Sequence, residues 1–149
     1  NISIARLIKD SKGGGAWGLV NWPKEKKWAK TQKDLLDIKC YSVDQNITEL
    51  SGGNQQKVII GKWLSAEPKL MIFDEPTKGI DVGAKSEIYK IIRKLADEGK
   101  GIIVVSSEMP ELLSLCDRIA VFREGELQTI LTIDDATEEK ILLAATSSK

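Results

Sequence analysis

Two short apolar runs, separated by one amphipathic segment, constrain the fold of this chain more than any other feature. Residues 70–73 and 101–105 are both continuously apolar, apart from one glycine, as expected of buried strands. Between them, residues 86–98 repeat isoleucine and leucine at helical spacing, and Gly99 follows as a C-terminal cap. Strand, helix and strand in this order predict a right-handed crossover and a parallel sheet, so the class is α/β.

The other segments predict further helices and one hairpin. The front third of the chain contains no obvious strand, and three glycines at positions 13–15 predict a loop there. Cys116 lies in an apolar helical pattern, which favours a buried, reduced thiol. Helices are predicted over 1–12, 24–38, 108–116 and 135–145, and hairpin strands over 118–122 and 127–133.

The composition excludes several classes of protein. Basic and acidic residues number 22 each, so there is no broad basic surface of the kind that binds nucleic acid or anionic lipid. No apolar run approaches the roughly 20 residues of a transmembrane helix. The N-terminal residues lack the layout of a signal peptide. We therefore expect a cytosolic protein.

The segment that follows Leu50 has the character of an anion site at a helix N-terminus. A serine can cap the helix, glycines let a phosphate approach the backbone, and the free N–H groups point at it. The alternative is an ordinary turn before an amphipathic helix whose side chains include Val58, Ile59, Lys62 and Trp63. The residues of this candidate site are Ser51, Gly52, Gly53, Asn54, Gln55 and Gln56.

Three acids after this segment are candidates for chemistry. Asp74, at the end of the strand over 70–73, can hold Mg²⁺ directly or through water, and the adjacent Glu75 can polarise an attacking water. Acids also mark strand ends without any such role. Asp81 precedes a helix, where capping alone would explain it.

Together these residues resemble the ATP-binding cassette family over about residues 45–130. The resemblance implies that residues 51–56 form the signature motif and contact ATP. It implies that Asp74 is the Walker-B acid that binds Mg²⁺, that Glu75 is the catalytic glutamate, and that Asp81 belongs to the loop bridging the two cassettes of a dimer.

Two departures from the family pattern stand out. The chain contains no histidine, and Ser107 occupies the position where active cassettes carry a histidine that contacts the γ-phosphate. Serine has no cationic form and a short reach, so it cannot replace that contact. The chain also lacks a glycine-rich loop ending in Gly-Lys-Ser/Thr, since neither Gly61-Lys62 nor Gly99-Lys100 has a glycine five residues earlier.

The resemblance therefore implies a partial P-loop ATPase domain without the strands of the phosphate loop. We expect part of the helical subdomain over residues 1–65, and the C-terminal half of the ATPase core, with its hairpin and last helix, over 66–149. We also expect that this chain alone hydrolyses no ATP.

The segment over 76–85, together with the one over 106–112, is most similar to the second cassette of bacterial importers of the ribose, galactose and xylose type. That similarity implies an ATPase on the cytoplasmic face of the membrane. Its partners would be the first cassette of the same chain or a second copy, and transmembrane permease subunits. A periplasmic or extracellular sugar-binding protein would be an indirect partner, and nucleic acid would not be one. The signature would serve the ATP of the partner cassette.

Two other functions remain open from the sequence. One is a non-catalytic module that only completes a partner's site, and the other is a soluble ATPase of the DNA-repair type, which Pro76-Thr77 argues against. The tryptophans at positions 17, 22 and 28 favour packing of a small subdomain over a face that receives a membrane subunit.

Overall fold

The computed structural model describes residues 2–5 and 22–146. Most of the helix predicted over 1–12, the loop at 13–15 and Trp17 lie outside these residues. The helices are α1 (Trp22–Leu35), α2 (Gly52–Leu64), α3 (Val82–Asp97), α4 (Met109–Leu115) and α5 (Glu138–Thr146), with a 3₁₀ turn at Ile47–Glu49. The strands are β1 (Leu70–Asp74), β2 (Gly101–Val105), β3 (Arg118–Arg123) and β4 (Glu126–Thr132).

The described chain forms two compact units. The first comprises Asn1–Met71 and Pro76–Ile103, and the second comprises Ile72–Glu75 and Val104–Lys149. Within the described ranges, none of the helices is both long and apolar enough to cross a membrane. The sequence-based boundary between a helical subdomain over 1–65 and part of the ATPase core over 66–149 refers to subdomains of a larger fold, and it stays a prediction.

Strands β1 and β2 pair in parallel, which confirms the predicted α/β class. The Gly101 N–H donates to the Lys69 carbonyl at 2.8 Å, and the Glu75 N–H donates to the Val105 carbonyl at 2.8 Å. Helix α3 connects the two strands. It begins four residues earlier than predicted because Asp81 caps it, and it ends before Gly99, whose φ of +87° confirms the expected cap.

In the first unit, α3 buries the face that its periodicity predicts, whereas α2 does not. Ile88, Ile92 and Leu95 of α3 are buried. Helix α2, however, buries Gly53, Lys57, Ile60 and Gly61. The large apolar residues that suggested an amphipathic helix therefore do not mark its buried face, since Ile59 is 43% exposed and Trp63 is 54% exposed.

Helix α1 buries polar rather than apolar side chains. Trp28 is half-buried, but Leu35 is exposed, and the helix buries the polar side chains of Glu25 and Gln32 instead. Trp22 is 68% exposed, so it does not supply the core packing expected of the tryptophans.

The second unit contains the predicted hairpin. Strands β3 and β4 pair antiparallel from Arg118 opposite Thr132, with a bulge between Val121 and Phe122. The turn is made by Glu124 and Gly125, which both have positive φ, as a two-residue hairpin turn requires.

Helix α5 packs on one face of this hairpin. Ile119, Val121 and Ile141 form the core of the unit, and Leu131 of β4 packs against them. Cys116 forms no disulfide, in agreement with the predicted reduced thiol, but it is half-buried at the edge of this core rather than fully buried.

Candidate functional site

The turn before α2 places Ser51 at the N-cap position, with extended backbone at φ −60° and ψ 155°. The predicted side-chain cap is not formed. The Ser51 hydroxyl instead accepts a hydrogen bond from Nδ2 of Asn54 at 2.8 Å. The Ser51 carbonyl accepts the first helical bond, from the Gln55 N–H at 2.9 Å. The serine thus joins the first turn of the helix without satisfying its free N–H groups.

The amide side chains of the candidate signature hold this turn in place. Oδ1 of Asn54 accepts from the backbone N–H of Lys39 at 2.7 Å. Nε2 of Gln55 donates to the Leu50 carbonyl at 2.8 Å. Because both side chains are engaged internally, the N–H groups of the helix N-terminus are the atoms left to meet an anion. Gln56 is half-buried.

The two glycines of the turn have different surroundings. Gly52 is exposed, which leaves its backbone open to a ligand. Gly53 is buried, and a Cβ added there would lie 2.5 Å from Cβ of Ala84, too close for any real contact. Glycine at position 53 is therefore explained by the close approach of α2 and α3. This is a packing reason that the sequence did not reveal.

Asp81 lies, within the first unit, next to the turn formed by residues 51–53, which we call the signature turn. Its carboxylate accepts from the Ala84 N–H at 2.9 Å and so caps α3, and its side chain is exposed. Ala84 is the residue that Gly53 contacts. A Cβ at Gly52 would lie 3.2 Å from the side chain of Ile80. The loop carrying Asp81 and the signature turn are thus packed against one another.

The second unit carries Asp74 and Glu75 at the end of β1. The Asp74 side chain is exposed, and Glu75 is half-buried. Glu75 has a φ of 48°, in the left-handed region that residues with a Cβ seldom adopt. In this conformation Oε1 of Glu75 accepts a hydrogen bond from the backbone N–H of Ser107 at 2.9 Å.

Ser107 is exposed, and its contribution to Glu75 comes from the backbone. The next residue, Glu108, donates its N–H to the Ser106 hydroxyl at 3.0 Å, which fixes the loop after β2. The structure therefore brings the Glu75 carboxylate and position 107 together, as expected of residues after adjacent parallel strands. The hydrogen bond uses an atom that any residue except proline would supply.

Metal ligands are few in this part of the chain. Across residues 2–5 and 22–146, no cluster of three or more Asp, Glu, Cys or His side chains has the arrangement of a metal site. The exposed Asp74 carboxylate is a hard oxygen donor of the type that Mg²⁺ selects. A magnesium ion here would fit only with phosphate and water oxygens completing its shell.

Lys57, one turn into α2, was not predicted from the sequence. Its side chain is 3% exposed, and its Nζ lies 2.8 Å from Oε2 of Glu87 and 2.8 Å from the Asp37 carbonyl. The only available signal was the spacing of Lys57 from Gly53 and Ile60 along one helix face. A lysine on a helix is more often solvated, so that signal was not distinctive.

This chain is similar in sequence to known transport proteins. Residues 8–78 match the profile of a family described as "ABC transporter". The chain is 59% identical over 143 residues to the D-allose import ATP-binding protein AlsA of Escherichia coli (strain K12), covering 95% of the chain and 28% of that protein. It is 44% identical over 149 residues to a ribose import ATP-binding protein, RbsA, of Bacillus cereus, covering 100% of the chain and 29% of that protein.

Solved structures agree on the fold. The ATP-binding cassette MJ0796, in a dimeric post-hydrolysis state bound to ADP and Pi, superimposes with a TM-score of 0.70 at 23% identity, over 89% of the chain and 56% of that structure. The chain thus spans 28% and 29% of the length of the two curated relatives and about half of this cassette.

Proposed function

Because this chain belongs to the ABC transporter family, we propose that it works as part of the ATP-hydrolysing subunit of a bacterial sugar importer. The observation that carries the proposal is the signature turn, with its exposed Gly52 and its free helix N-terminus braced by Asn54 and packed against the loop of Asp81. The names of the two relatives, import ATP-binding proteins for D-allose and for ribose, support a sugar as the transported substrate.

The signature turn would act on the ATP held by a partner cassette. The N–H groups at the start of α2 and the helix dipole favour a phosphate oxygen, and they are fixed before the ligand arrives. Ser51 and the N–H groups at the start of α2 would bind that ATP, and the side chains of Asn54 and Gln55 would hold the turn in place. Asp81 would contact the partner across the dimer. The partner is the first cassette of the same subunit or a second copy.

The acids of the second unit would act on the ATP held by this half. Glu75 would orient the attacking water, with its carboxylate held by the Ser107 N–H. Asp74 would hold Mg²⁺, which offsets the charge of the phosphates when it is bound with ATP. Closure and reopening of the cassettes would drive permease subunits from the cytoplasmic face of the membrane, and a sugar-binding protein outside would deliver the sugar.

A second candidate function is a non-catalytic cassette half that only completes its partner's site. It is favoured by Ser107, because serine offers no cationic side chain to a γ-phosphate. In that case residues 51–56 keep their role, while Asp74 and Glu75 contribute little to turnover.

The test of the proposal is Ser51→Arg in the full-length subunit assembled with its membrane subunits. The arginine would obstruct the start of α2, so we expect sugar uptake and ATPase activity to fall to background. Nucleotide binding to the open state should be nearly unchanged. Ser86→Arg, on an exposed position of α3, is the matched control and should keep full activity. Normal uptake by the Ser51→Arg transporter would overturn the proposal.

A further inference from the structure

We propose that Lys57 is a positioning residue that joins the signature helix α2 to helix α3. It would keep the signature turn and Asp81 in a fixed relative orientation when they contact a nucleotide. This inference rests on the proposed function, because it concerns how the signature turn is aimed. Lys57 belongs to neither the signature motif nor the acids discussed above.

The Lys57 side chain is buried and hydrogen-bonded on two sides. The ammonium is nearly inaccessible, whereas its partner Glu87 on α3 keeps 45% of its side-chain exposure. The carbonyl of Asp37, a residue with a φ of 47°, accepts a second hydrogen bond from the same ammonium. Lys57 lowers the pKa of Glu87, first through their hydrogen bond and then through its charge. One side chain therefore links α2, α3 and the turn after α1.

The Lys57 link lies one helical turn beyond the closest contact between α2 and α3. Gly53 contacts Ala84 at the start of both helices, and Lys57 contacts Glu87 one turn further on. These two contacts together form the seam between α2 and α3. A contact of small residues allows two helices to slide or rotate, because it is apolar and non-directional. A hydrogen-bonded ion pair whose ammonium is buried restricts such movement far more, because its geometry is directional. Gly53 thus allows α2 and α3 to approach closely, whereas the ion pair of Lys57 with Glu87 fixes their relative orientation.

The position of this seam relates it to the site. Gly53 belongs to the signature turn, and Ala84 donates its N–H to the carboxylate of Asp81. A rotation of α2 against α3 would move the signature N–H groups relative to Asp81. Displacements of about 1 Å can reduce a rate by about a hundredfold when the group must meet a transition state.

The experiment uses the full-length subunit with its membrane subunits. Lys57→Met keeps the length of the buried chain and removes its charge. We expect kcat for ATP to fall about tenfold or more, with nucleotide affinity of the open state changed by less than about twofold, since the link serves the closed geometry. Lys62→Met, on the same helix but away from the Glu87 contact, is the matched control and should retain the wild-type kcat.

The partner residue provides a second, independent variant. Glu87→Gln keeps an acceptor oxygen but removes the charge, so we expect a smaller loss of kcat. Because the two residues form one link, Glu87→Gln should cause no further loss in the Lys57→Met background. Additive losses, or a wild-type kcat for both single variants, would overturn the proposal. Glu87→Gln alone decides the question if Lys57→Met does not accumulate as folded protein.

A structural readout separates positioning from simple stabilisation. Spin labels are placed at exposed positions 59 on α2 and 94 on α3, after replacement of the native cysteines by serine, Cys40 and Cys116 among them. In Lys57→Met the distance distribution should broaden or shift, while in Lys62→Met it should match wild type. An unchanged distribution in Lys57→Met overturns the inference even if activity falls.

The two proposals fail in different ways. Full activity of the Ser51→Arg transporter overturns the proposed function. An inactive Ser51→Arg transporter beside a fully active Lys57→Met transporter overturns only the role of Lys57.

Discussion

Glu75 shows how a single backbone conformation can aim a functional side chain. Its left-handed φ would suit glycine, but glycine would supply no carboxylate at the end of β1. The conformation is held by two hydrogen bonds to the strand and loop beside it, through the Glu75 N–H and through Oε1. Strain of this kind persists where the surroundings fix it, and it is concentrated at functional sites.

We expect Ser107→Pro to lower ATP turnover at the site of this half by about tenfold or more, because removal of one preorganised hydrogen-bond donor has effects of that order or larger. This turnover is measured in a full-length transporter whose first cassette carries the change that corresponds to Glu75→Gln. Proline removes the N–H that holds the Glu75 carboxylate. Ser107→Ala keeps that N–H and should retain activity. The measurement is steady-state ATPase of both variants. An equal loss in Ser107→Ala would show that the serine hydroxyl, not the backbone, is the contributing group.

We expect Ser107→Pro to lower ATPase activity because it affects the position of the Glu75 carboxylate. In a Glu75→Gln background, where the carboxylate is already absent, we expect the proline to cause little further loss. A large additional loss would mean that the loop after β2 acts on something other than this side chain.

At the scale of elements, the sequence predicted β1, β2, α3 and the hairpin as elements, and α3 buries the apolar face expected of it. The prediction that β1 and β2 are buried strands was wrong, because β1 alternates exposed and buried residues and no residue of β2 is fully buried. Helix α2 was predicted as an element, but its buried face was not. That face includes a charged residue, Lys57, and two glycines, whereas the large apolar residues Ile59 and Trp63 point outward. Burial of Lys57 depends on Glu87, 30 residues further along the sequence, which no local pattern reveals.

The candidate site was predicted by motif rather than by contact. Residues 51–56 and Asp81 were proposed from the resemblance, and the structure packs them together in one unit. The internal hydrogen bonds of Asn54 and Gln55 were not foreseen. Such bonds depend on backbone groups of neighbouring segments, as the contact with Lys39 illustrates.

The seam between α2 and α3 leads to a stability prediction. We expect Gly53→Ala to lower the thermal unfolding midpoint, because the new Cβ would overlap Cβ of Ala84 and overpacking costs about 1–3 kcal/mol. The gain of about 1 kcal/mol in helix propensity is too small to offset a clash at the upper end of that range.

The matched variant for this prediction exchanges the two residues. Gly53→Ala combined with Ala84→Gly restores the space and leaves the number of helical glycines unchanged, so it should recover most of the midpoint. If the exchange is as destabilised as the single variant, the contact between these two residues is not the cause.

At the scale of the whole molecule, the signature turn and the acids of β1 fall in different compact units. In the proposed assembly they also serve different ATP molecules. The signature belongs to the ATP of the partner, and Glu75 belongs to the ATP of this half. The two proposed sites can therefore differ in activity, and we expect the site of this half to be the weaker one because Ser107 offers no cationic side chain.

We expect Glu75→Gln to reduce steady-state ATPase of the intact transporter much less than the corresponding change in the first cassette. A site without the histidine contact to the γ-phosphate is slowed by about 10²–10³ if that contact resembles other preorganised donors. Removing its general base then removes little of the total flux. The two variants are compared after purification with their membrane subunits. Equal losses would show that this half hydrolyses ATP efficiently despite Ser107.

The hairpin tip offers a practical attachment point on this chain. Glu124 and Gly125 are exposed, and a side-chain carbon added at Gly125 would meet no atom within 4 Å. The strands on either side pair from Arg118 opposite Thr132 to Arg123 opposite Glu126. Tight, exposed turns of this kind tolerate inserted sequence well. An affinity tag or fluorophore grafted between these residues would report on the assembled transporter without replacing any residue of the proposed nucleotide sites.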